Sequence, residues 1–219
     1  MKQLQISKTI QKANKNYLAF GVLAVLIVLF YGNTLVSDGF AFDDIVQIEH
    51  NPYVQSLKYL PKTVMSCQWE YPNKGCMGRV LYYRPPFFVS TILTYQISPN
   101  PWAFHLVSLL YFLLIVYLIY LITKAITKQF VPSLVAAILF LAHPILTETV
   151  DWIAAGTELT LAVFALLAVL FYIRWRQSKS RKDLLFVYLC IFSRYFQRNR
   201  VFFCRCSSFW QIWCFFESP

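Results

Sequence analysis

The chain has 219 residues, of which 58% are hydrophobic and only 14% charged, with a mean hydropathy of +0.51. Soluble domains carry about a quarter charged residues, so this composition excludes an ordinary soluble domain. The formal net charge of +10 does not point to nucleic acid, because the basic residues fall in short clusters between apolar runs. That arrangement sets membrane orientation. The chain reads as an all-α, multi-spanning membrane protein with about five transmembrane helices and a large external loop after the first.

Residues 1–16 carry Lys2, Lys8, Lys12 and Lys15 and no acid, which predicts a cytoplasmic N-terminus by the positive-inside rule. Residues 17–36 form an apolar run of helix length. No small-x-small cleavage site follows a short apolar core, so the run is an uncleaved helix rather than a signal peptide. Residues 37–101 are polar and rich in turn signals and make the external loop. It holds Asp43-Asp44, the Asn51-Pro52 turn, a short amphipathic helix over Val54 to Met65, and Tyr82-Tyr83-Arg84-Pro85-Pro86. Phe87 to Ile97 is apolar but too short to cross ~30 Å of hydrocarbon. It is expected to lie in the interface or to re-enter the membrane.

Residues 102–189 are predicted to be transmembrane helices with short loops. Ala103 to Thr123 runs inward and is followed by Lys124 and Lys128; Phe130 to Leu146 returns outward. The turn around Pro144 to Thr157 contains Glu148, Asp151 and Trp152 and no basic residue. Glu158 to Ile173 goes back in and meets the strongest basic cluster, Arg174, Arg176, Lys179, Arg181 and Lys182. A further span is expected from Leu184.

Residues 190–219 break this composition. They contain no Leu, Ala, Gly, Thr or Lys, yet hold four of the six cysteines. Either this is an aromatic-rich tail or the reading frame has slipped near Cys190. Codon arithmetic favours the slip: Phe196-Gln197-Arg198-Asn199 can be encoded TTC CAA AGA AAC, which one base later reads Ser-Lys-Glu-Thr. The last residues are therefore expected to carry no evolved function. Cys67 and Cys76 share the external loop and either pair in an oxidising compartment or stay free. No Cys/His spacing matches a zinc site.

Two adjacent carboxylates just beyond an apolar helix stand where unpaired acids are costly and tend to serve chemistry or ion binding. The plainer reading of Asp43 and Asp44 is loop acids, or helix-start residues favoured by the dipole. His143 precedes a proline near a helix end. It either binds a ligand or is a buried histidine bonding carbonyls that the proline leaves free. His105 lies near the start of a packed span and reads as structural. Glu158, flanked by apolar residues at a membrane boundary, must face protein or water. Asp151 beside Trp152 reads as part of the interfacial belt.

Several blocks in fixed order resemble the membrane half of the transmembrane-and-tetratricopeptide-repeat proteins and their bacterial relatives. These are C-type glycosyltransferases, in the superfamily of the protein O-mannosyltransferases. The blocks are Phe42-Asp43-Asp44 with Asn51-Pro52, then Tyr83-Arg84-Pro85, then Asn100-Pro101-Trp102-Ala103-Phe104-His105-Leu106-Val107. The most specific runs from His143 through Pro144, Thr147, Glu148, Asp151 and Trp152 to Ile153 and closes with Glu158-Leu159. The re-read Ser-Lys-Glu-Thr also matches what that family carries next. Where the family often has Gly-Arg, this chain has Ala155-Gly156, so one basic contact is missing.

The resemblance implies an incomplete C-type fold and transfer of a sugar, mannose by analogy, from a polyprenyl-phosphate carrier to an acceptor hydroxyl of a protein or glycan at the external face. Asp43 would be the catalytic base, with Asp44 orienting it or holding a divalent metal; no cofactor is certain. Arg84 would grip the lipid phosphate, its other reading being a headgroup-level anchor. His143, Glu148 and Glu158 would bind substrate. The partners are the bilayer, the lipid-linked sugar and the acceptor, with no nucleic acid, in a bacterial inner membrane or an endoplasmic reticulum membrane. By itself the chain is expected to be inactive. The alternative is a non-enzymatic membrane scaffold or transporter part, and it is distinguished by whether Asp43, Arg84, His143 and Glu148 converge on one external cavity or scatter.

Overall fold

A computed structural model describes residues 2–37, 39–65, 70–71, 75–76 and 84–198. Among them are helices α1 (Lys2–Tyr31), α2 (Leu60–Met65), α3 (Pro85–Ile97), α4 (Pro101–Thr127), α5 (Phe130–Leu141), α6 (Leu146–Asp151), α7 (Gly156–Ser178) and α8 (Arg181–Arg198). A two-residue antiparallel ladder, Glu70–Tyr71 against Gly75–Cys76, is the one extended pairing among the described residues. Cys67 lies outside them, and with it the question of a Cys67–Cys76 bridge.

The helix ends follow local chemistry. Pro85 and Pro101 open α3 and α4, where a missing N–H costs nothing and the fixed φ suits the first turn. Helices α4 and α7 stop on Lys128 and Lys179, both left-handed (φ 60° and 55°), whose N–H groups donate to Lys124 O and Trp175 O at 3.0 and 2.7 Å. A left-handed residue after the last turn is the usual way to satisfy end carbonyls. Helix α1 ends by tightening into a 3₁₀ turn, Gly32–Val36, where the Thr34 hydroxyl donates to Tyr31 O.

Among the described residues, three segments are long and apolar enough to cross a membrane: Asn14–Val36, Pro101–Thr127 and Ile153–Ser178. Of the five expected spans, the two others come out differently. The return over 130–146 is the 12-residue α5, about 18 Å long. It ends at Leu141 because His143 precedes a proline, and the residue before a proline is pushed out of helical geometry. The span from Leu184 is α8, which starts three residues earlier and bears Arg181, Lys182 and Asp183 in its first turn, then Arg194 and Arg198. It continues through Cys190; residues 199–219 lie outside the described part.

Packing divides the bundle into two levels. The larger apolar cluster joins α1, α4, α5 and α7 through Leu23, Ile27, Phe112, Val116, Tyr120, Leu141 and Val163. Tyr31 donates its hydroxyl to Leu141 O at 2.9 Å and so ties the far end of α1 to the end of α5. The smaller cluster holds Ile48, Val54, Phe87, Phe88, Ile92, Phe104 and Ile153. Here the long loop and α3 fold down onto the ends of α4 and α7. The opposite end of the bundle is basic: Lys124 Nζ donates to Tyr120 Oη at 2.7 Å and also to Asn16 Oδ1, and Gln177 donates to Ala125 O at 3.3 Å. The acidic motif and the basic clusters therefore occupy opposite ends.

Candidate active site

The acidic motif begins with an outlier. Phe42 has φ 48°, a left-handed value that a bulky aromatic adopts only when its surroundings hold it there. The chain then turns through Asp43 and Asp44 into a wide π-type turn over Ile45–Glu49, a geometry that recurs at functional sites. Burial of Gln47 and Ile48 pins that turn on the smaller cluster. The two aspartates consequently part company.

Asp44 is 2% exposed. Its Oδ1 accepts from Ala154 N–H at 2.7 Å and its Oδ2 from Ala41 N–H at 3.4 Å. Burial pushes its carboxyl up to about 6, against those hydrogen bonds and with a smaller upward push from Asp43. Asp44 therefore staples the loop to the turn that opens α7. Its neighbour Asp43 is partly exposed and lines a cleft of about 560 Å³ with Ala41, Phe42, Glu148, Asp151 and Trp152. That volume falls in the range of small-molecule sites. Three carboxylates and an indole face one space. A carboxylate so placed can take a proton from a hydroxyl that attacks an electrophile beside it.

Arg84 precedes α3 and reaches across to the start of α7. One guanidinium nitrogen donates to the Thr157 hydroxyl, and the other stands 3.2 Å from Glu158 Oε1. Thr157 is buried and gives its own proton to Ala154 O at 3.1 Å. Ala154 thus receives Thr157 on its carbonyl and offers its N–H to Asp44. The acidic motif and, through Thr157, Arg84 are tied to the two backbone groups of one residue, Ala154.

Of the sequence-predicted residues, Asp43 and Glu148 share the cleft, Asp44 is buried behind Asp43, and Arg84 pairs with Glu158 at the start of α7, neither of them lining the cleft. His143 is exposed and stands apart from the cleft-lining residues; its Nδ1 accepts from Ile145 N–H at 3.3 Å. The buried-histidine reading is thereby corrected: α5 has already ended, so no proline-freed helical carbonyl is left for His143 to bond. His105 is buried in α4, as its position in a packed span suggested. Asp151 and Trp152, read from sequence as part of the interfacial belt, also form the cleft wall. Their signal was their spacing from Glu148: Asp151 lies three residues on, one helical turn along α6. Burial also raises the Asp151 carboxyl above its usual range. As for a metal, Asp44 already has main-chain donors on both oxygens, and no group of three His, Cys, Asp or Glu among the described residues is placed to hold an ion. Among the described residues the arrangement does not fit a metal centre.

No family model matches the chain, and no solved structure matches it. Among curated proteins, it is 31% identical over 176 residues to the protein O-mannosyl-transferase Tmtc2 of Drosophila melanogaster, an alignment covering 77% of this chain and 18% of that protein. It is 32% identical over 158 residues to the mouse protein O-mannosyl-transferase TMTC2, covering 70% and 18% respectively. It is 29% identical over 163 residues to the human protein O-mannosyl-transferase TMTC3, covering 74% and 18%. The chain thus spans under a fifth of the length of these relatives. Over 70 to 77% of its own length the chain is a relative of the TMTC protein O-mannosyl-transferases, and the resemblance to C-type membrane glycosyltransferases holds.

Proposed function

We propose that the chain forms part of a membrane glycosyltransferase that moves a sugar, mannose by the names of its relatives, from a polyprenyl-phosphate carrier to an acceptor hydroxyl. The acceptor is a protein Ser or Thr, or a glycan, and the reaction takes place at the external membrane face, with the N-terminus in the cytoplasm. Asp43 accepts the hydroxyl proton. A carboxylate is a far weaker base than an alkoxide, so the proton moves in concert with attack on the anomeric carbon. Asp44 holds the loop that presents Asp43. Arg84 offers a planar fork to the carrier phosphate. Glu148 binds sugar or acceptor hydroxyls, and exposed His143 is a further substrate contact. On this reading residues 190–219 are an out-of-frame tail.

The observation that supports this most is the cleft itself. Asp43 and Glu148, about a hundred residues apart in sequence, line one space, and Arg84 is tethered to the peptide that also anchors Asp44. The test is an Asp43→Asn substitution at the matching position of a full-length relative, assayed in membranes with mannosyl polyprenyl phosphate and an acceptor peptide. The expected loss in kcat is about 10²- to 10⁴-fold, typical of a removed general base, with KM nearly unchanged. Undiminished turnover would overturn the assignment.

A further inference from the structure

Glu158 was counted with the substrate-binding residues, yet its carboxylate faces the Arg84 guanidinium. We propose that Glu158 is a positioning residue: a stand-in anion that holds Arg84 over the α7 turn and is displaced when the anionic group of the substrate arrives. This rests on the reading of Arg84 as the phosphate-binding residue.

Three observations carry it. First, the contacts of Arg84 with Thr157 and Glu158 differ in kind. The Thr157 side is anchored in a buried residue whose own proton is committed to Ala154 O, so the hydroxyl must accept from the guanidinium. The Glu158 side is an ion pair in which Glu158 is 54% exposed and Arg84 24%. Exposed pairs shift an equilibrium by at most about five-fold, whereas two parallel bonds from a guanidinium to a phosphate are among the strong hydrogen bonds. Exchange of carboxylate for phosphate therefore favours the phosphate, and the Thr157 bond remains as a pivot.

Second, the cleft beside Asp43 is lined by Asp43, Glu148 and Asp151 and by no basic residue. An anion entering there would meet three carboxylates, so the charged part of a substrate is directed to the Arg84 side and its hydroxyl-bearing part to the cleft. Third, Arg84, Thr157, Ala154 and Asp44 form one hydrogen-bonded series. Three contacts thus separate the guanidinium from the residue that braces Asp43.

The experiment uses the full 219-residue chain in detergent micelles, with farnesyl phosphate as the probe and uncharged farnesol as the control, titrated by thermophoresis. Glu158→Gln is expected to bind farnesyl phosphate about two- to five-fold more tightly than the wild type, because the competitor is removed while the side-chain shape is kept. Glu158→Asp should return to the wild-type value, and farnesol binding should not change in either. Arg84→Gln should abolish the preference for farnesyl phosphate over farnesol. If Arg84-dependent binding is present but Glu158→Gln is no tighter, or is weaker, the stand-in role is overturned and Glu158 is a substrate contact or a purely structural one. If the wild type binds farnesyl phosphate no better than farnesol, the phosphate-binding reading of Arg84 fails, and the role of Glu158 falls with it.

Discussion

Asp43 and Asp44 are chemically identical and adjacent, yet the fold assigns them opposite environments. What decides is a single hydrogen-bonded peptide, Ala154, that captures Asp44 and leaves Asp43 at the cleft. The capture has a pH signature. The Asp44 carboxyl is raised to about 6 from an ordinary 3.8, with burial as the largest cause. Between those values the folded protein keeps a proton that the unfolded chain has lost. Stability is therefore greatest below about pH 4, falls as pH rises to about 6, and is flat above that. The full difference amounts to about 3 kcal/mol at most. Thermal melting in detergent should show a wild-type midpoint that drops relative to Asp44→Asn across pH 4 to 6. Parallel profiles for the two proteins would refute this account of Asp44. Nothing in the dipeptide sequence distinguishes its two members, so their division of labour was not legible there.

At the scale of elements, the contact between α3 and α7 fixes where Arg84 stands. Gly156 opens α7 against the Phe87 ring, and a Cβ there would meet ring carbons at 3.0 and 3.3 Å. Phe87 is buried in the smaller cluster and has little room to retreat. Gly156→Ala should therefore destabilise by roughly 1–3 kcal/mol, the usual cost of overpacking, and should loosen the Arg84–Glu158 pair. A lowered melting temperature would be the outcome; an unchanged melting temperature would show that the ring yields. The existence and order of the long helices were legible from apolar runs and flanking charges. Their ends were less so. Helices α4 and α7 stop on left-handed lysines rather than glycines, and α5 is cut short by Pro144. The role of α3 was not legible at all, because a short apolar stretch reads alike whether it touches lipid or packs on protein.

For the whole molecule, the two levels of packing separate membrane anchoring from chemistry. The larger cluster holds three spans together; the smaller one lifts a long loop into place over α4 and α7. The one compositional break lies at the other extreme of the chain. Resequencing the gene from codon 180 onward should reveal one inserted or missing base that restores Ser-Lys-Glu-Thr and a Leu- and Ala-rich continuation. A frame confirmed as written would reject the out-of-frame reading of residues 190–219. The sequence by itself determined the membrane class, the helical architecture and the kinship with C-type glycosyltransferases. Those depend on local hydropathy, charge and short ordered blocks, which a linear reading preserves. Only the tertiary structure decided which carboxylate is buried, that Asp151 and Trp152 line the cleft and that Arg84 is paired with Glu158. Each of these depends on contacts between residues far apart in the chain, and no local pattern of residues encodes such a distance.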